Sequence, residues 1–262
     1  MQNENQKFII ESRLEALKNL AMSVCSNYRL DLLKPILDYL EANIETPASC
    51  KLSNHGCFHG GLIAHIYDLV MVANSASQCI HEIGDPGVRV EYMELNEEKG
   101  RGRDSIDEAL YSVTRESIIT VALIHDLNKI KDFSGNSHYL PNIKKDGSLS
   151  RSSPYSVNPE YDIFKTTLNS LEKMKGGHAE SVLFSEESFN PLDGINTGVI
   201  SLALAEHVSP GIVKSLSPYE RQAIVFHGGI YEGFSQKGYR NKESPLALLI
   251  HFSDMLCSVA AN

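Results

Sequence analysis

The chain contains no run of about 18 apolar residues, the length a helix needs to cross a membrane, so no membrane partner is expected. It has no Cys-x-x-Cys pair. Its five cysteines (Cys25, Cys50, Cys57, Cys79 and Cys257) are scattered and odd in number, which suits reduced thiols in a cytoplasm better than a disulfide framework. An excess of positive charge is also missing. The formal net charge of -9 argues against a protein that coats nucleic acid. It leaves room for a small phosphorylated ligand, which needs only a local positive field of the kind bound metal ions supply. Strand-like alternation is scarce, no repeat or low-complexity tract is apparent, and the polar opening Met-Gln-Asn-Glu-Asn-Gln-Lys does not read as a signal peptide.

What the 262 residues do contain is helical spacing of apolar side chains, at an overall 42% hydrophobic content sufficient for a sizeable core. The spacing predicts helices over residues 7–24 and 30–44, with Pro35 near the first turn of the second. A third starts near Gly61 after the breaker Pro47-Ala48-Ser49, and a central helix spans 104–131, exposed in its first half and buried in its second. Further helices are expected at 161–175, 178–187, 198–207, 217–228 and 245–260. Residues 134–160 are rich in Ser, Asn, Gly and Pro, a composition that suits a lid, a small hairpin or a disordered insert. A second Gly/Lys-rich loop covers 228–244. The fold class read from this pattern is all-α, one domain over 1–262 whose first 45 residues pack as N-terminal helices.

The most informative stretch is Ile124-His125-Asp126-Leu127, set among Ile118, Ile119, Val121, Ala122, Leu123 and Ile130. An imidazole and a carboxylate in such surroundings cost several kcal/mol each unless something compensates them, and a metal ion does so for both. The plain alternative is a buried His-Asp pair without metal. On a helix the two are about 100° apart, and Lys129 shares their face, placed either to hold a substrate phosphate or simply to pair with Asp126. His65 follows Gly60-Gly61, glycines that would let the backbone approach a ligand or serve only as a helix entry. Asp254 lies in a helix too apolar to hide a carboxylate, with His251 three residues earlier as a candidate orienting partner. His178 and His227 each sit at a helix end beside a glycine pair, where His227 also reads as a simple C-terminal cap.

In order these residues run His … His-Asp … His … His … Asp, and that order resembles the HD superfamily of metal-dependent phosphohydrolases. The segments Pro47-Ala48-Ser49-Cys50-Lys51, His55-Gly56 and Gly60 through His65 look like the opening of HD proteins related to 3'-5' exoribonucleases. Leu123 through Ile130, Gly177-His178-Ala179-Glu180, Ala223 through Gly228 and Pro245 through Met255 extend the likeness over about residues 45–260. Two departures stand out: Asn128 replaces the small or Cys residue usual before the Lys, and 186–216 is longer than the family's connection. The resemblance implies an HD-domain helical bundle with a metal-binding core over 46–262. It also implies one metal held by His65, His125, Asp126 and Asp254, and a second held by His178 and His227, with Asp126 bridging. An imidazole-rich set with two carboxylates suits Mn, Fe, Co, Ni or Zn better than Mg alone.

The expected function is hydrolysis of phosphoester bonds in nucleotides or short nucleic acids by a metal-activated hydroxide. Lys129 would stabilise developing charge, and His55 or Glu180 would protonate the leaving oxygen. Lys144, Lys145 and Arg151, or Lys237, Arg240 and Lys242, either draw a phosphorylated substrate inward or form ordinary solvated loops. The alternatives are a nucleotide-binding sensor that keeps metal without turnover and a metal-free helical interaction protein.

Overall fold

A computed structural model of the chain describes residues 2–51, 56–83, 113–161, 197–228 and 243–260. Its elements are α1 (Gln2–Val24), α2 (Asn27–Ala42), α3 (Gly61–Ile83), α4 (Arg115–Ile124), a 3-10 turn (Leu127–Lys129), β1 (Tyr139–Pro141), β2 (Tyr155–Val157), α5 (Thr197–Val208), α6 (Ile212–Ser215), α7 (Pro218–Phe226) and α8 (Pro245–Ala260). The described residues are mainly α-helical, with one two-stranded sheet. The helices expected at 161–175 and 178–187, and the first half of the one expected at 104–131, lie almost wholly outside the described residues.

Helix α4 is the axis of the molecule. All of Ser117 through Ile124 are buried, and α1, α2, α3, α5, α7 and α8 pack around it. That encirclement accounts for a sequence with no polar stripe. Thr114 caps its start by accepting a bond from Ser117 N at 3.0 Å. The helix ends at Ile124, seven residues before the expected end. His125 Nδ1 bonds the Ala122 carbonyl at 2.8 Å, and the Asn128 amide turns to Ser201 Oγ at 3.2 Å on α5 instead of back along the helix. His125 and Asp126 therefore sit on a turn, and the 3-10 residues behind it bring Lys129 back over Asp126.

Pro35 also departs from expectation. The Ser26 cap sets the start of α2 three residues early, which leaves Pro35 in the helix middle and the Asp31 carbonyl without its usual amide donor. The glycines before α3 approach their own chain, not a ligand. A Cβ on Gly61 would stand 2.0 Å from the Gly56 carbonyl oxygen, and Gly60, at φ +80°, would meet Ile10. Their use is to let the strap Glu45–Ala48 run against the helix entry, through Gly60 N to Glu45 O, Leu62 N to Thr46 O and Ala48 N to Gly56 O.

Of the forms open to 134–160, the hairpin is the one adopted. Tyr139 pairs with Val157 and Pro141 with Tyr155 in an antiparallel register, extended by bridges at Lys131–Ser137 and Ile143–Leu149. Three distant segments are joined by buried Arg29, whose guanidinium reaches Glu220 at 3.1 Å, the Ser215 carbonyl at 3.0 Å and Glu116 at 3.6 Å.

Candidate metal centre

The ends of α4 and α7 are built alike. Each helix finishes on a histidine in helical conformation, and each of these histidines bonds through Nδ1 to the carbonyl three residues back: His125 to Ala122 at 2.8 Å and His227 to Ile224 at 2.7 Å. A carbonyl can only accept, so Nδ1 carries the proton and Nε2 keeps its lone pair in the neutral ring. Both Nε2 atoms face Asp126. Helix α5 comes close enough to α7 to help hold this end, because residue 198 is glycine: a Cβ there would lie 2.2 Å from the same Ile224 carbonyl oxygen.

Four elements contribute to the cluster. From α3, His65 Nε2 lies 3.2 Å from His125 Nε2, 3.4 Å from Asp126 Oδ2 and 3.0 Å from Asp254 Oδ1 on α8. Asp126 Oδ2 is 3.2 Å from His125 Nε2, while its other oxygen faces His227 Nε2 at 3.6 Å. His65, His125 and Asp254 form a group able to hold a metal ion, with ligand atoms all within 4.8 Å of one another. The spacing fits that use. Bonds of about 2.0–2.1 Å to one ion put neighbouring ligand atoms about 3.0 Å apart at right angles and about 3.4 Å apart at a tetrahedral angle. The separations around His65 fall in that interval.

The electrostatics point the same way. Burial works to raise the pKa of Asp126, but the Lys129 ammonium at 2.6 Å, the largest opposing influence, draws it well below the ordinary carboxylate value. Asp254 is also lowered: burial is the largest single influence and raises it, but the hydrogen bond and charge of His65, with His125 and His227, together outweigh it. Burial drives His125 down and keeps it neutral, against the pull of Asp126. Lys129 loses by burial but gains more from Asp126 and Asp254, so it stays charged. Ionised carboxylates beside neutral imidazole form a cation-binding donor set.

The structure thus brings together His65, His125, Asp126, Lys129, His227 and Asp254 from the candidates read in the sequence. His55, His178 and Glu180 lie outside the described residues, as do Lys237, Arg240 and Lys242. Lys144, Lys145 and Arg151 are exposed on the hairpin. His251 is half-buried and makes no hydrogen bond to Asp254, whose partner is His65. Lys129 pairs with Asp126, the plainer of the two roles open to it.

Sequence reasoning assigned no structural role to Asn128, His138, Tyr139 or Tyr161, which surround this centre. Asn128 is a clamp: its side-chain oxygen accepts from Ser201 Oγ at 2.9 Å and its carbonyl from the Tyr161 hydroxyl. His138 stacks on Tyr139 and on Tyr161, ring centres 4.2 Å apart in both pairs. Tyr139 senses the charges of Lys129 and Asp126, and burial lifts its hydroxyl to about 12. The available signal was position, since these aromatics begin only nine residues after Lys129. Comparison with protein-family models, curated proteins and solved structures finds no match to this chain.

Proposed function

We propose that this chain is a metal-dependent phosphohydrolase acting on phosphoester bonds of nucleotides or short nucleic acids, with an HD-type arrangement of its ligands. The supporting observation is the convergence of His65, His125, Asp126, His227 and Asp254 on one buried locus, with Lys129 beside them. Asp126 has one oxygen toward His65 and His125 and the other toward His227, the disposition expected of a carboxylate shared between two ions. His178 is proposed to complete the second position. The donor set favours Mn, Fe, Co, Ni or Zn, with Mg admitted. When bound, such ions lower the pKa of coordinated water and stabilise charge on phosphoryl oxygens.

The chain's own groups supply the rest. The Ala122 and Ile224 carbonyls hold the rings of His125 and His227 in one tautomer. Lys129, 20% exposed at its side chain, offers positive charge to an entering phosphate. Hydrolysis joins a water oxygen to phosphorus and breaks the ester P–O bond. The leaving oxygen then takes a proton, for which His55 and Glu180 are the proposed donors.

The test is metal analysis of the purified chain, then assay with Mn against nucleoside phosphates and short RNA and DNA oligomers. Release of phosphate, nucleoside or mononucleotide is expected. Bound metal with no release from any of these substrates would replace the enzyme by a nucleotide sensor, and failure to bind any of the metals would remove both.

A further inference from the structure

Helix α8 has two apolar faces. Leu246, Leu249, Ile250, Ser253 and Cys257 are buried against α3, α4 and α7. On the opposite side Leu248, Phe252, Met255, Leu256 and Val259 stand in solvent, 50%, 49%, 44%, 39% and 68% exposed. At 100° per residue these five fall within an arc of about 100°. Leu248, Phe252, Met255 and Val259 follow one another at intervals of four, three and four, the a/d spacing by which one helix packs along another.

We infer that this outer face of α8 pairs with the same face of a second copy of the chain. Charge and area select that occupant. Asp254 is the only Asp, Glu, Lys or Arg of Pro245–Ala260, and it turns inward to His65, while half-buried His251 lies beside the outer face. Two copies of the helix laid face to face therefore meet no like-charge pair, although each chain carries a net charge of -9. A basic or acidic partner would find no Asp, Glu, Lys or Arg on this outer face to answer its charge. With typical side-chain areas the five residues present roughly 400–500 Å² of apolar surface. That is more than half of the ~800 Å² per partner buried in a standard interface. Met71 on α3, which packs against α8, is also 48% exposed. The pairing stands whether or not the chain hydrolyses phosphoesters.

A two-fold interface counts each side chain twice. In Phe252→Glu or Leu248→Glu, two carboxylates would enter the paired face. The separated chain would tolerate the change, because both positions are half exposed. Light scattering and sedimentation over a micromolar concentration range should give twice the 29.0 kDa chain mass for the wild type. Both variants should weaken dimerisation by about 100-fold or more, with circular dichroism and metal content unchanged. A wild type that stays monomeric throughout the range would overturn the pairing. So would variants that remain dimeric, or a monomer that binds phosphatidylcholine vesicles through these side chains.

Discussion

Asp126 faces His65, His125, Lys129 and His227, so its removal reaches most of the centre. Asp126→Ala takes away the shared carboxylate and leaves the Lys129 ammonium beside three imidazoles. Bound metal should fall to background by elemental analysis, and turnover should drop by at least about 100-fold. The helical circular-dichroism signal should persist, since the surrounding core does not depend on this group. Asn128 acts differently. In Asn128→Ala the Ser201 hydroxyl loses its acceptor, and stability should fall by about 1–3 kcal/mol in urea titration. Asp126 was legible from sequence because a carboxylate in an apolar run demands an explanation. Asn128 was not: its partners are Ser201 and Tyr161, 73 and 33 residues away, and nothing local distinguishes a clamp from a solvated amide.

At the level of elements, the helices were the legible part. Those expected at 198–207, 217–228 and 245–260 are observed at Thr197–Val208, Pro218–Phe226 and Pro245–Ala260. Caps help explain the agreement: Ser217 and Glu220 form a reciprocal capping box around the first residue of α7, Pro218. The early end of α4 was not legible, because the competing acceptor for the Asn128 amide, Ser201 Oγ, lies in α5. The glycines at the entry of α3 read as a ligand approach or a helix entry for a similar reason, since what fills the space is the Gly56 backbone and the Ile10 side chain. The hairpin carries a pH-sensitive element in His138. Burial lowers its pKa to about 4, with Lys129 also acting downward and the Asn128 carbonyl and Asp126 opposing. An unfolded histidine titrates near 6.5. The unfolded chain therefore binds the proton first as pH falls, and this contribution to stability is complete above about pH 6.5 and declines toward pH 4. Allowing for partial exposure, about 1 kcal/mol should be lost between about pH 7 and pH 5. His138→Phe should flatten that part of the urea-midpoint profile, and an unchanged profile would dismiss the assignment.

Across the whole molecule, the candidate metal centre draws on segments spread from α3 to α8. His65 lies on α3, His125 and Asp126 follow α4, His227 follows α7, and Asp254 lies on α8. An ion that binds only when these are assembled stabilises the assembly by mass action, by about 2.7 kcal/mol at a free concentration 100 times its dissociation constant. Chelator-treated protein should therefore unfold at a lower temperature in calorimetry, and Mn or Zn should restore the midpoint in a concentration-dependent way. An identical midpoint with and without the ion would show that it does not bridge these segments.

The Arg29 junction has a consequence for how the chain is made. A ribosome emits Arg29 long before Glu116, and Ser215 and Glu220 emerge 186 and 191 residues after it. Until translation has passed residue 220, sealing α2 into place would strand a guanidinium away from water. The first two helices should accordingly stay hydrated and open to chaperones or proteases through most of synthesis. Nascent chains stalled before residue 212 should be cut within residues 2–42 by added protease, and the released 262-residue chain should resist.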